Sequence, residues 1–197
     1  VINGDTVNRG MSFLEHQLGK KIASGQWTII DDGGINGLIG SKPFDGEGIE
    51  PSKRMIVENG VLRKFLYDIK AAHRAGVPAT GNAGRSYDDA VHIAPNNFYV
   101  AAGDLPPETL IRETARGLYV TQGMGYSFDP ATGDLSFGAE GLWIENGELH
   151  YPVAEITVAA NMKTMLMNIE SVGSDLRFRG FFSSPTLRIA DVTISGI

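Results

Sequence analysis

The sequence predicts an α+β domain: mainly antiparallel β-sheet with long hairpins, and three or four short helices. Two Asn-Gly pairs, at 59–60 and 146–147, each stand between segments rich in β-branched and aromatic residues, which is the strongest short-range signal of a hairpin. Short amphipathic segments with capping residues separate the strands. The 25 glycines are spread over the predicted turns, which indicates many chain reversals. Because 197 residues support one sizeable core, we predict a single domain over residues 1–197.

The N-terminal part of the chain is predicted to begin irregularly, over residues 1–11. A helix is predicted over residues 13–22, because Ser12 and Glu15 have the spacing of a capping box and apolar side chains follow at helical spacing.

Strands and turns alternate in the next part of the chain. A strand is predicted over residues 26–31. The pair Asp31 and Asp32, where this strand runs into a turn, is interpreted as solvated turn residues. Residues 40–48 contain too many glycines for a helix or a strand and are predicted as a loop.

The second hairpin is predicted to join residues 55–57 to residues 61–67. A helix of about two turns should follow over residues 69–76, because Gly76 can end a helix and Pro78 prevents its continuation. Residues 78–95 have no clear period and are predicted as an ordered surface loop or a poorly paired edge.

A strand is predicted over residues 96–101. Asp104 is then a suitable N-cap for a helix over residues 108–116, which Gly117 should end. Residues 118–120 begin a strand that leads to the central hairpin.

The central hairpin, residues 133–159, is the longest predicted element. Its alternation of apolar and polar residues predicts one buried face. Five apolar side chains are expected on that face: Leu142, Ile144, Leu149, Tyr151 and Val153.

The last part of the chain is predicted to form one helix and two strands. Asn161 is the expected cap of a helix over residues 162–172, which Gly173 should end. Strands are predicted over residues 176–182 and 186–194. Four side chains have the spacing of a buried helical face: Met162, Met165, Leu166 and Ile169.

Charge and composition exclude several functional classes. The net charge of -6 and pI near 5.2 argue against a nucleic-acid surface, because phosphate binding needs clustered Lys and Arg. The chain has no cysteine, hence no thiolate for catalysis or metal binding. No apolar run is long enough to cross a membrane, and no signal-peptide pattern is present. Since the chain begins at Val1, we expect it to be a processed or cloned fragment.

Known catalytic and metal motifs are absent. H-E-x-x-H requires two His residues one helical turn apart, but His16, His73, His92 and His150 are each isolated. Neither the phosphate-binding loop, nor the dinucleotide fingerprint, nor the G-x-S-x-G elbow is complete.

Two glycine-rich stretches carry candidate binding residues. Asp45 and Glu47 lie two positions apart in F-D-G-E-G, where glycines allow close approach of a ligand; an Asx-turn with a solvated Glu is the alternative. Thr80 to Arg85, T-G-N-A-G-R, could form an anion-binding nest with Arg85 beside it, or an ordinary tight loop.

Several stretches together, in content and order, resemble the TldD/PmbA family, also called modulator of DNA gyrase. They cover roughly residues 11–197 and include F-L-E-H-Q-L-G-K-K-I, S-K-P-F-D-G-E-G, E-N-G-V-L-R-K-F-L-Y-D, T-G-N-A-G-R, G-L-Y-V-T, the central hairpin, N-M-K-T-M-L-M-N-I-E-S-V-G-S-D-L and S-P-T-L-R-I-A-D-V-T-I-S-G. The chain resembles the C-terminal, sheet-rich part of these proteins.

The resemblance implies a cytoplasmic metallopeptidase in which two related subunits enclose a chamber and act on unfolded peptides, in peptide maturation and degradation. The TldD-type subunit carries zinc on an H-E-x-x-x-H helix with a distant Cys ligand, and the PmbA-type partner lacks that set. Zinc in such a peptidase activates water and polarises the scissile carbonyl. This chain has neither H-E-x-x-x-H nor, around Ser183 and Ser184, a Cys. We therefore expect a PmbA-like subunit without zinc and without catalytic residues of its own.

The expected partner is a TldD-like zinc subunit or a second copy of the chain, with no nucleic acid and no membrane involved. Four residues are expected to face the chamber and bind unfolded peptide: Asp45, Glu47, Asn82 and Arg85. The alternatives are a TldD-like peptidase that uses other zinc ligands, such as His16 or His92, and a non-enzymatic binding or scaffold domain.

Overall fold

The computed structural model describes residues 1–196, and this part of the chain contains four helices and thirteen strands. The paired strands are antiparallel with one exception, so the predicted α+β class is confirmed. The helices are α1 (Gly4–Asn8), α2 (Ile69–Ala75), α3 (Pro107–Arg112) and α4 (Met162–Met167). The strands are β1 (Ile29–Asp31), β2 (Arg54–Glu58), β3 (Val61–Leu62), β4 (Ala83–Gly84), β5 (His92–Ile93), β6 (Phe98–Val100), β7 (Arg116–Phe128), β8 (Asp134–Glu145), β9 (Glu148–Asn161), β10 (Ile169–Val172), β11 (Phe182–Ser183), β12 (Leu187–Ile189) and β13 (Thr193–Ser195).

A five-stranded sheet in the order β11-β6-β1-β2-β3 holds the main core. β1 is central in this sheet and buried along its whole length, so its apolar residues pack on both sides. The predicted hairpin at Asn59-Gly60 is confirmed as β2–β3, although its second strand is only two residues long. The buried core residues are Leu14, Ile29, Ile56, Val57, Leu62, Phe65, Leu66, Val100, Ile169 and Val172.

The long hairpin forms a second sheet in the order β13-β9-β8-β7. Its turn follows the prediction: Asn146 has φ 53° and Gly147 has φ 81°, as a type I′ turn requires. The turn lies against α3, where a Cβ on Gly147 would come within 2.4 Å of the Arg112 carbonyl oxygen. The backbone amide of Gly147 donates to the Thr114 carbonyl, which fixes this end of the long hairpin.

The predicted buried face of the hairpin is only partly present. Ile144 is buried, but Leu149 and Tyr151 are 41% and 53% exposed, so the prediction is wrong for these two residues. The register shifts between Leu142 and Ile144, which breaks the strict alternation assumed from the sequence. A smaller core forms further along the ribbon, around Ala139, Ile156 and Val158.

The N-terminal predictions need two corrections. Residues 1–11 are not wholly irregular, because α1 is capped by Asn3, whose side chain accepts from the amides of Asp5 and Thr6. Residues 13–22 form successive turns and not the predicted helix. The Ser12 hydroxyl accepts from the Leu14 amide and donates to the Val1 carbonyl, so it closes a tight turn.

Helix α2 follows the prediction closely. Asp68 accepts from the Ala71 amide at 2.7 Å, and Gly76 ends the helix with φ 67°. Helix α3 begins at Pro107 without a side-chain cap, so the predicted cap at Asp104 is wrong. Residues 78–95, predicted as a loop or poorly paired edge, contain only the two-residue pair β4–β5.

The C-terminal predictions are correct in kind and wrong in extent. Asn161 caps α4 as predicted, but the helix ends at Met167 and residues up to Val172 form β10. Ile169 is therefore buried from a strand and not from the helix, and no residue of α4 is fully buried. The two predicted closing strands are broken into the short strands β11, β12 and β13.

Within residues 1–196 no helix has the length and apolar character needed to cross a membrane.

Candidate functional site

A buried polar cluster lies at the end of β1, where two glycine-rich segments meet the five-stranded sheet. Its members, which we call the polar hub, are Asp31, Asn82, Asn96 and Asn97, and each is at most 1% exposed. Asp31 accepts three hydrogen bonds: from the Asn96 amide at 2.7 Å, the Asn82 side chain at 2.7 Å and the Asn96 side chain at 3.1 Å. The hub therefore joins three separate parts of the chain through one carboxylate.

The asparagine side chains of the hub also bind backbone carbonyls. Asn82 donates to Ala94, and Asn96 donates to Gly81, at 3.2 Å in both cases. The amide oxygens of Asn82 and Asn96 have no hydrogen-bond partner among the described residues. Both side chains thus direct their nitrogens toward Asp31, which keeps the negative carboxylate supplied with donors.

Asn97 connects the hub to the glycine-rich loop that follows β1. Its side chain donates to the Asp32 carbonyl and to Ser41, and accepts from the Gly40 amide at 3.0 Å. Gly40 lies so close that a Cβ would be 2.4 Å from the Asn96 carbonyl oxygen. Only glycine permits this approach, so the loop is held tightly against the hub.

Burial dominates the electrostatics of Asp31. It raises the pKa of this carboxyl above its ordinary value of 3.8, although the hydrogen bonds from Asn82 and Asn96 and the positive charge of Arg54 act in the opposite direction. Arg54 is the cross-strand neighbour of Asp31 and donates to the Thr80 carbonyl at 3.0 Å. Because Asp31 has no access to solvent, we assign it a role in positioning backbone and not in acid–base chemistry.

The raised pKa makes stability depend on pH in a defined direction. Between 3.8 and the raised pKa, folded Asp31 keeps a proton that the unfolded chain has released. The contribution of Asp31 to the free energy of unfolding should therefore fall as pH rises through this window, and become constant above it. Asp31→Asn has no ionisable group at this position. The pKa shifts of the other carboxyls are common to both proteins, so their contributions to the free energy of unfolding cancel in the comparison.

Urea unfolding of the wild type and Asp31→Asn between about pH 4 and pH 8 measures this difference. We expect the wild type to lose stability relative to the variant with rising pH. A relative gain of stability would contradict the assignment.

The structure brings together the two loops that carry the four predicted binding residues. Asp45 is 3% exposed and accepts from the amides of Glu47, Ile49 and Ala83, each at 2.9 Å. The Gly46 amide donates to the Ala83 carbonyl at 2.8 Å. Asp45 therefore forms the Asx-turn that the sequence offered as the alternative, and it also fastens one loop to the other.

The other three predicted residues differ in exposure. Glu47 accepts from the Ile69 amide at 2.8 Å and so adds a second cap to α2. Asn82 belongs to the polar hub and is 0% exposed, whereas Arg85 is exposed. Of the four side chains, Arg85 is the most exposed, and the role of the four residues in binding peptide stays a prediction.

Sequence reasoning missed most of the hub. Asp31 was assigned to a solvated turn, and that is wrong, because it ends a strand of the central sheet. The available signal was its position directly after the apolar run I-I, at the end of a buried strand. Asn96 and Asn97 gave only a weak signal as an Asn pair at the start of a predicted strand.

The described residues do not fit a zinc site. Within residues 1–196 no three His, Asp or Glu side chains come together as metal ligands, and the chain has no cysteine. The four histidines lie on different elements: His16 in a turn, His73 in α2, His92 in β5 and His150 in β9. No catalytic step through a metal can be derived from these residues.

Comparison with known proteins identifies the family. A family model described as the PmbA/TldA metallopeptidase C-terminal domain matches residues 1–196. The metalloprotease PmbA of Escherichia coli O157:H7 is 36% identical over 195 residues, which are 99% of this chain and 41% of that protein. A metalloprotease TldD homologue of Buchnera aphidicola is 33% identical over 178 residues, which are 89% of this chain and 37% of that protein.

A solved structure agrees with this match. TM0727 of Thermotoga maritima, named as a proposed modulator of a DNA gyrase, superposes with a TM-score of 0.91 at 30% identity, over 98% of this chain and 45% of that one. The chain spans less than half the length of these relatives. Since the family model covers nearly all of its residues, the chain belongs to the PmbA/TldD metallopeptidase family and corresponds to its C-terminal domain.

Proposed function

We propose that this chain is a PmbA-like subunit of a TldD/PmbA-type metallopeptidase complex in the cytoplasm. It holds no zinc, lines the chamber and positions unfolded peptide for a zinc-bearing, TldD-like partner, in peptide maturation or degradation. The similarity to proteins named metalloprotease PmbA supports the family part of this proposal. The lack of cysteine in the sequence supports the zinc-free part.

The observation that carries the positioning role is the free edge of the long sheet. β7 is 13 residues long and is the outermost strand of the order β13-β9-β8-β7. One row of its backbone groups therefore has no partner strand within residues 1–196. An extended peptide can add to such an edge through main-chain hydrogen bonds that do not depend on its sequence, which suits broad specificity.

Side chains on β7 are unusually apolar for an exposed edge. Val120 and Met124 are 44% and 42% exposed, and Tyr126 is 66% exposed. They offer apolar contacts to alternate side chains of an added strand. The loops with Asp45, Glu47, Asn82 and Arg85 are proposed as a second contact with peptide: Arg85 contacts peptide directly, and the other three residues hold the loops in place.

Substitution of two exposed edge residues by lysine tests this role. Lysine on an edge strand opposes the addition of another strand, so Val120→Lys/Met124→Lys should lower hydrolysis of an unfolded peptide by the assembled complex about tenfold or more. The substitutions lie on the surface, so the free energy of unfolding should change little. The measurement is the initial rate on a fluorogenic unfolded peptide, with the TldD-like protein of the same organism present.

The control is Thr157→Lys, at an exposed position on the interior strand β9. It adds charge to the same sheet and should leave the rate unchanged. Unchanged hydrolysis by the double variant would refute the edge-strand role.

Zinc analysis tests the subunit assignment separately. The protein purified alone after zinc exposure should hold no tightly bound metal, and mixing it with the partner should produce hydrolysis. One equivalent of zinc on this chain would identify a TldD-like peptidase. A protein that no partner converts to a peptidase would be a binding or scaffold domain.

A further inference from the structure

The segment between β10 and β12 forms a closed loop, residues 175–186, which we call the aromatic loop. Asp175 joins its two ends by accepting from the Thr186 amide at 3.0 Å and from the Thr186 hydroxyl at 2.9 Å. Burial opposes ionisation of Asp175, but these bonds and the charge of Arg177 outweigh it and lower the pKa of the carboxyl. The base of the loop is therefore held by a carboxylate that stays ionised at neutral pH.

The far side of the aromatic loop is fixed to the edge of the five-stranded sheet. β11 pairs with β6 in parallel, and the Phe98 amide donates to the Phe181 carbonyl at 2.7 Å. Phe178 packs edge-on against Tyr99 with ring centroids 5.1 Å apart. Because both ends and the middle are held, the loop presents its outward side chains in a fixed arrangement, which lowers the entropic cost of binding.

The exposed side chains of the aromatic loop are basic and aromatic: Arg177, Phe178 and Arg179 alternate, and Phe181 and Phe182 follow Gly180. Phe178, Phe181 and Phe182 are 39%, 47% and 68% exposed. Arg177 and Arg179 are also exposed, and neither forms an ion pair with a carboxylate of residues 1–196. Four other arginines, Arg9, Arg63, Arg74 and Arg188, are paired with carboxylates, whereas the remaining four have no ion pair within residues 1–196.

Two nearby carboxylates, Asp175 and Asp32, form no ion pair with the arginines of the aromatic loop within residues 1–196. The charge of Asp175 acts on Arg177 and offsets one of the two arginine charges, while its oxygens accept from Thr186. Burial, and after it the negative charge of Asp32, raises the pKa of the Tyr99 hydroxyl, and the Asp32 carboxylate accepts from the Gly34 amide. The loop is thus a locally basic, apolar surface on a chain whose net charge is -6.

We infer that the aromatic loop is a specificity site that recognises unfolded peptide segments carrying acidic side chains next to aromatic ones. Guanidinium groups bind carboxylates in bidentate geometry, and exposed phenylalanine rings stack with aromatic side chains. Alternating arginine and aromatic residues can also bind single-stranded nucleic acid. The acidic net charge and the lack of a wider basic patch favour the peptide.

The inference rests on the proposed function and adds a substrate class to it. Sequence-independent addition to β7 would hold any extended peptide. The aromatic loop would favour acidic and aromatic segments among them.

Fluorescence anisotropy with labelled 12-residue peptides tests the inference. The probes are a peptide with alternating Glu and Phe, the same peptide with Gln for Glu, the same with Lys for Glu, and a 12-nucleotide single strand. We expect the Glu/Phe peptide to bind the wild-type protein about fivefold tighter or more than the Gln/Phe peptide, and the Lys/Phe peptide most weakly. Raising the salt concentration should reduce this preference.

Arg177→Gln/Arg179→Gln should abolish the preference for Glu over Gln while leaving the affinity for the Gln/Phe peptide nearly unchanged. Phe181→Ala should weaken binding of the Glu/Phe and the Gln/Phe peptides to the same extent. The matched control is Arg9→Gln/Arg112→Gln, which removes the same number of charges from exposed residues of other elements and should keep the preference.

Each remaining outcome decides against part of the proposal. Equal binding of the Glu and Gln peptides would overturn the specificity site and leave the proposed function standing. Failure of every peptide to bind, with or without the TldD-like partner, would overturn both. Tighter binding of the oligonucleotide than of any peptide would replace the peptide by nucleic acid as the ligand of the loop.

Discussion

Replacing Asp31 by alanine is expected to lower the free energy of unfolding by about 3–5 kcal/mol at neutral pH. The substitution removes the acceptor of three hydrogen bonds inside a region without solvent access. The side chains of Asn82 and Asn96 would be left with fewer partners, and their amide oxygens already have none among the described residues. Unpaired donors in such a place cost more than the net value of the bonds themselves.

Urea unfolding followed by tryptophan fluorescence measures the effect of Asp31→Ala. Asp88→Ala is the control, because Asp88 is an exposed carboxylate in a loop; its expected effect is within about 0.5 kcal/mol. Should Asp31→Ala fail to fold, Asp31→Asn, which keeps the volume and one acceptor, provides the comparison. A loss below about 1 kcal/mol in both variants would mean that the polar hub contributes little to stability.

Replacing Asp45 by alanine is expected to lower the free energy of unfolding by about 2–3 kcal/mol. Its carboxylate accepts three backbone amides, and the amide of Ala83 lies in the interior, where water cannot replace the lost acceptor. Glu47→Ala removes one hydrogen bond at the exposed first turn of α2 and should cost only about 0.5–1 kcal/mol. Chemical unfolding of the two single variants compares these effects directly.

Hydrolysis measurements separate a structural role of Asp45 from direct contact with peptide. If Asp45 acts by fastening the loops, the assembled complex with Asp45→Ala should lose hydrolytic activity over the same temperature range in which the variant unfolds. At lower temperature, where the variant is folded, it should regain much of that activity. Full stability combined with lost hydrolysis would instead favour direct contact. Arg85→Ala is the complementary test, because it should reduce peptide binding without a change in stability.

Local signals in the sequence were reliable where one or two residues decide the backbone. Asn146-Gly147 formed the predicted turn because few other residues adopt positive φ at both positions. Gly76 ended α2 for an equally local reason. The same reasoning failed for residues 13–22, where the Ser12 hydroxyl could bond in more than one way and the tertiary structure selected a turn.

Side-chain roles were harder to predict than backbone turns. Asp45 was singled out because of its glycine neighbours, but the sequence could not distinguish a carboxylate that faces a ligand from one that accepts amides of its own loop and of Ala83. Ala83 lies 38 residues from Asp45 in the sequence. Only the folded chain shows which of the two surroundings the carboxylate has.

The sequence by itself determined the α+β class, the hairpins, helix α2 and the family resemblance, because turn chemistry, caps and periodicity act over a few neighbouring residues. The tertiary structure alone decided the polar hub, the fastening of the glycine-rich loops and the fixed aromatic loop. Those features depend on hydrogen bonds between residues as far apart as Asp31 and Asn96, 65 positions in sequence. Whether such groups are buried, and with which partner, follows from how the strands of the sheet are brought together.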